Sequence, residues 1–106
     1  MIIVIVNFPL PKNMSATEYH AKIMETVPRF TAVPGLRRKN YIYDSARHLG
    51  GGVYTFDSQA NAQACFSEEF VKRVTSTYGP PDIRYFETSV LIDNHAGTVK
   101  EMALST

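Results

Sequence analysis

Apolar, mostly β-branched residues occupy both parities from Ile2 to Val6 in the opening stretch "MIIVIVNF". An edge or half-exposed strand alternates apolar with polar positions, so this run predicts a central strand covered on both faces. "PLPKN" breaks it. "SATE" (Ser15 to Glu18) then has the spacing of a capping box, and Tyr19, Ile23, Val27 and Phe30 recur at helical intervals. A first helix is expected from Ala16 to Ala32, with Pro28 kinking it or detaching its last turn. "LRRKNYIYD" (Leu36 to Asp44) and "GGVYTFD" (Gly51 to Asp57) flank a polar loop and read as a β-hairpin. Ser58 caps a short helix through Phe66. Ser67 caps another, in which Phe70, Val71, Val74 and Tyr78 share a face. "GPP" (Gly79 to Pro81) stops it, and "IRYFETSVLID" (Ile83 to Asp93) reads as the last strand. The segment from Asn94 to Thr106 is a tail open to three readings: a short helix, an arm on a partner, or a disordered segment.

The order β-α-β-β-α-β predicts an α+β, ferredoxin-like fold. Its four-stranded antiparallel sheet runs 4-1-3-2 and carries helices on one face only. The expected organisation is a single domain over residues 1–93 and a C-terminal tail over 94–106. The helices leave the other face of strand one uncovered, whether that face carries Ile3 and Ile5 or Val4, Val6 and Phe8. A second copy of the same sheet is the simplest cover, so a homodimer with sheets facing each other is expected.

A chain of 106 residues suits one domain. With 44% hydrophobic and 20% charged residues and a net charge of +1, it gives no electrostatic reason to bind nucleic acid or an acidic membrane. Met1 to Val6 is far shorter than the ~20 residues of a membrane span and lacks the basic flank of a signal peptide. The single cysteine, Cys65, excludes an internal disulfide framework, so a cytoplasmic protein is expected. His20, His48 and His95 are scattered without ligand spacing, so no metal is expected.

Three successive glycines, Gly50 to Gly52, open the third strand. A phosphate loop needs a following lysine and helix, and here Val53 and Tyr54 follow instead. RNA-recognition strands carry stacking aromatics. Here Gly51 and Val53 stand at two of those places and Val4 at a third, so RNA binding is rejected. What remains is close approach: a bulged hairpin end, or Gly51 and Gly52 as part of a cavity wall. Arg37, Arg38 and Lys39 alternate faces along a strand and cannot form one patch. They read as edge charges, one of which, or Arg84, could reach an anionic substrate.

"VPGLRRKNYIYD", "GGVYTFDS" and "YGPPDIRYFETSVLID" resemble the putative monooxygenases of the YdhR type, within the dimeric α+β-barrel superfamily of antibiotic-biosynthesis monooxygenases. The resemblance spans about residues 1 to 93. It implies a sheet-to-sheet dimer and a pocket in each protomer between sheet and helices. Some superfamily members oxidise electron-rich aromatic compounds with molecular oxygen and neither metal nor flavin, and others degrade haem. The haem branch carries an asparagine, a tryptophan and a helical histidine. Asn7 matches the first, Phe56 replaces the second, and Ser58 to Tyr78 contain no histidine, so haem is not expected.

The expected function is therefore a cofactor-independent monooxygenase acting on a small electron-rich aromatic or enolic compound. Asn7 is expected to position oxygen or substrate, and either His20, beside the apolar stripe of the first helix, or a pocket tyrosine to act as base. Tyr41, Tyr54 and Phe56 are expected to hold the ring beside Gly52. The alternative is a non-catalytic, small-molecule-binding or stress-associated dimer with the same pocket.

Overall fold

In a computed structural model, which describes residues 1–105, the apolar run forms β1 (Ile2–Pro9), followed by α1 (Ala16–Thr31), β2 (Leu36–Asp44) and β3 (Leu49–Phe56). Then come α2 (Gln59–Cys65), α3 (Glu68–Thr77), β4 (Asp82–Glu87), β5 (Val90–Asp93) and β6 (Thr98–Glu101). The main sheet is ordered β2-β3-β1-β4 and is antiparallel throughout, the ferredoxin-like arrangement anticipated from the element order.

Strand alternation assigns the two faces of β1. Ile2, Val4, Val6 and Phe8 are buried beneath the helices, whereas Ile3, Ile5 and Asn7 are half-buried on the opposite face. Within one chain, then, only one side of this central strand is covered. The core under the helices is aromatic. Phe66 meets Tyr54 and Phe70 edge-on, with ring centroids 4.8 and 5.0 Å apart, above a fully buried Phe56. Such edge-to-face pairs are favoured by the ring quadrupoles.

Helix α1 opens with the anticipated capping box: Ser15 Oγ accepts from the Glu18 N–H, and the Glu18 carboxylate accepts from the Ser15 N–H. Pro28 does not end the helix, which continues to Thr31.

The C-terminal part departs from expectation. Ile83 to Asp93 is two strands rather than one. The β4 ladder closes with the Thr88 N–H donating to the Met1 carbonyl, and from Val90 the chain pairs with its own return strand, β6. Residues 94–97 are therefore a turn, with Gly97 at φ 70° and the Asp93 carboxylate accepting from the Ala96 N–H at 3.0 Å. The segment expected as a tail is half of a hairpin, and Thr106 lies outside the described residues. This hairpin exposes Val90, Ile92 and Val99, and it contributes to an elongated outline of 43 × 30 × 26 Å. No helix among the described residues is long and apolar enough to cross a membrane.

Candidate functional site

Between the helices and the covered face of the sheet lies a cavity of about 180 Å³. Tyr41 and Tyr54 line it from the sheet, Tyr19 and Phe30 from α1, and Phe70 and Tyr78 from α3 and its C-cap. A dry protein cavity of ~150 Å³ accepts benzene, so this one has the size for a single aromatic ring.

The glycines of β3 make this geometry possible. The Tyr19 hydroxyl accepts from the Gly51 N–H at 2.9 Å and donates to the Ile42 carbonyl at 3.0 Å, bridging β2 and β3 at a paired position. A Cβ on Gly50 would fall 2.6 Å from that hydroxyl, and one on Gly51 would fall 1.9 Å from the Val6 carbonyl oxygen. At Gly52 a Cβ would press on the Tyr54 ring and the Lys39 stem, at 2.9 and 3.2 Å. The thinned backbone therefore admits Tyr19, Tyr54 and Lys39.

Lys39 is the chemically unusual member. Its Nζ stands 3.2 Å from the centroid of the Phe30 ring, 3.9 Å from that of Tyr41 and 4.6 Å from that of Tyr54. No carboxylate forms an ion pair with it among the described residues. Burial lowers the ammonium to about 7, and the nearby Arg29 guanidinium pushes the same way. The ring faces favour the charged form, so the group is poised to exchange a proton near neutrality.

The tyrosines flanking it have different hydrogen-bond states. Thr26 Oγ1 donates its only proton to the Ile23 carbonyl at 2.8 Å. The 2.6 Å contact between Thr26 and Tyr41 therefore has Tyr41 as donor, leaving the Tyr41 oxygen as an acceptor. Burial raises the Tyr54 phenol far above its ordinary value, and raises Tyr78 to about 12. Both remain protonated donors at neutral pH.

Of the residues anticipated from sequence, Tyr41 and Tyr54 line the cavity. Gly52 lies beneath Tyr54 and Lys39. Phe56 is stacked behind Tyr54 in the core, with centroids 6.2 Å apart, and does not reach the cavity wall. Asn7 points to the other face of the sheet, because Val6 and Phe8 take the helix-facing positions on either side of it. His20 is exposed on α1 and is not part of the lining.

Lys39 does lie on an edge strand, β2, as expected, but its side chain enters the cavity instead of guarding the edge from solvent. A bulge between Leu36 and Arg38 inserts Arg37, which turns outward to pair with Asp57, and Lys39 then falls on the covered face opposite Tyr54. Its shared parity with Tyr41 was the available signal.

A model of the family described as putative mono-oxygenase ydhR matches residues 3–96. No curated protein matches this chain. Among solved structures, a protein of unknown function from Nitrosomonas europaea superposes with a TM-score of 0.67 at 16% identity, covering 82% of this chain and 87% of that one. A monooxygenase from Streptomyces coelicolor, the product of ActVA-Orf6 in complex with nanaomycin D, gives 0.62 at 18% identity, covering 87% and 92%. A putative antibiotic biosynthesis monooxygenase from Bordetella bronchiseptica gives 0.59 at 17%, covering 82% and 96%. At these identities the structural likeness establishes the fold alone.

Proposed function

The chain belongs to the ydhR family of putative mono-oxygenases, and from that premise we propose that it oxygenates a small, single-ring phenol or enol without a cofactor. The observation that carries this reading is Lys39, a lysine in an aromatic cage at a ring-sized cavity, with its proton affinity brought close to working pH.

The neutral Lys39 amine takes the proton of a bound phenol, since a base is most effective when its pKa lies near the operating pH. The resulting ammonium stays beside the phenolate, and the Tyr54 hydroxyl donates to the same oxyanion. The phenolate then passes one electron to oxygen, forming superoxide next to a fixed positive charge. The two radicals combine at the ring carbon para to the oxygen, and loss of water leaves a quinone. One phenol and one O2 give one quinone and one water, with all four electrons drawn from the substrate. Lys39 takes the role anticipated for His20, which stands outside the cavity.

A homodimer is part of the proposal. Ile3, Ile5 and Val53 form a half-buried apolar strip on the uncovered face, beside an exposed Phe86 on β4. A second sheet laid on this strip would remove it from water. The lone, disulfide-free cysteine supports a cytoplasmic setting.

The test is oxygen consumption by metal-stripped protein supplied with phenol and with ortho- and meta-alkylphenols, whose para carbon bears hydrogen, with the quinone product followed by absorbance and hydrogen peroxide measured alongside. Uptake above the uncatalysed rate with one quinone formed per O2 and no hydrogen peroxide supports oxygenation. Thermal stabilisation by the same compounds without uptake would transfer the assignment to a binding protein.

A further inference from the structure

The two ends of the cavity are electrically unlike. Glu25, with Lys22 three residues before it on α1, lies towards Tyr78, whose phenol the Glu25 charge pushes up, so that end carries both signs. At the other end are Lys39 from β2, Arg29 from the last turn of α1 and Arg73 from α3. Arg29 and Arg73 also line the adjoining recess beside Phe30, Phe70 and Cys65, so they flank the point where the two spaces meet. Among the described residues neither Arg29 nor Lys39 has a carboxylate within ion-pair distance. Arg73 reaches only Glu69, at 3.7 Å, whose side chain is 84% exposed. The Cys65 thiol supplies no counter-charge, because burial holds it protonated.

The two guanidiniums at one end of a partly enclosed space repel one another, and Lys39 adds to this whenever it is protonated; in a chain of net charge +1 this is not a general surplus of base. An anion entering there relieves the repulsion, and a guanidinium pair matches the planar, two-oxygen geometry of a carboxylate. The space accepts one ring, so the anion and the ring belong to one small molecule.

We propose that the substrate is a single-ring phenol bearing a carboxylate, with the carboxylate held by Arg29 and Arg73 and the phenolic oxygen directed to Lys39. The inference rests on the oxygenation reading for its phenol, but its recognition element stands on the charge distribution. It assigns Arg29 and Arg73 as specificity-determining residues. Neutral phenols of the same size meet Lys39 without engaging the guanidinium pair.

The experiment compares binding of meta-hydroxybenzoate with that of its neutral isostere meta-hydroxybenzamide by calorimetry, in wild type, in the Arg29→Gln/Arg73→Gln double variant and in Arg47→Gln. Arg47 lies in the β2–β3 turn outside the cavity and controls for general charge. The expected result is about ten-fold tighter binding of the acid in wild type and in Arg47→Gln, collapsing towards equality in the double variant. Equal affinities in wild type, or a preference that survives in the double variant, would overturn the inference. Oxygen uptake with catechol and protocatechuate separates the two readings. Preference for the acid without any uptake removes the oxygenation reading and leaves this one. Uptake with equal kcat/KM for both compounds does the reverse.

Discussion

The Tyr19 hydroxyl accepts a hydrogen bond from the Gly51 N–H at 2.9 Å and passes its own proton to the Ile42 carbonyl at 3.0 Å. A side chain from α1 thus completes the pairing between β2 and β3 at the edge of the cavity. Tyr19→Phe leaves both backbone groups without this partner and is expected to destabilise by about 1–3 kcal/mol in urea unfolding. Gly51→Ala, whose Cβ would meet the Val6 carbonyl, is expected to cost more, about 3 kcal/mol or above. Gly97→Ala meets no neighbouring atom and bears only the left-handed backbone penalty, about 1 kcal/mol. An unchanged urea midpoint in Tyr19→Phe would show that the bridge is not structural.

Lys39 makes stability depend on pH. Its ammonium is lowered to about 7 from an ordinary 10.5, so between these values the unfolded chain binds the proton that the folded chain has released. Stability therefore rises with pH across that window, up to the point near 10 where unfolded tyrosines begin to ionise. The groups facing the amine are the phenols of Tyr41 and Tyr54, the Arg29 guanidinium, and the Cys65 thiol. Arg29 strengthens the trend, and the ring faces moderate it. Lys39→Met is expected to stabilise the protein by on the order of 2 kcal/mol at about pH 6, with the gain shrinking towards pH 10. Denaturation midpoints of the two proteins that stay parallel across this range would refute the burial argument.

The hairpin of β5 and β6 carries its own prediction. Ile92 and Val99 are cross-strand partners and are 64% and 68% exposed, with Val90 on the same side of the hairpin. Exposed apolar strand faces of this kind are covered in stable proteins by a partner or by another element. Ile92→Asp combined with Val99→Asp is expected to weaken the proposed homodimer while leaving the chain folded, read by light scattering on a sizing column with circular dichroism as the folding control. A wild-type monomer, or a dimer untouched by both charges, would remove this hairpin from the interface.

Much of the fold was legible because local chemistry and global pattern agreed. The Ser15–Glu18 capping box, the two-sided apolar run of β1, and the serines opening α2 and α3 all gave the correct elements. The final hairpin was missed although its signal was present. Asp44 accepts from the Arg47 N–H ahead of His48 at φ 57°, and Asp93 accepts from the Ala96 N–H ahead of Gly97 at φ 70°. The turn read correctly between β2 and β3 is thus repeated between β5 and β6.

The candidate site was half legible. Tyr41 and Tyr54 declared themselves as aromatics on strand positions that share the covered face. The placement of Asn7 depended on which parity of β1 the helices cover, and a run apolar at both parities does not reveal that. Lys39 was read as an edge charge because charge normally marks solvent. Only the Arg37 bulge and the space left by Gly52 explain how its stem passes under the aromatic cage.

The central claim is that Lys39, and not His20, is the base. It is tested by the pH dependence of kcat/KM for oxygen uptake with meta-cresol, whose para carbon bears hydrogen, in wild type, Lys39→Met and His20→Ala. A rise through about pH 7 is expected in wild type and in His20→Ala, and a loss of about 10²–10⁴-fold in Lys39→Met. Uptake retained in Lys39→Met, or abolished in His20→Ala, would contradict it.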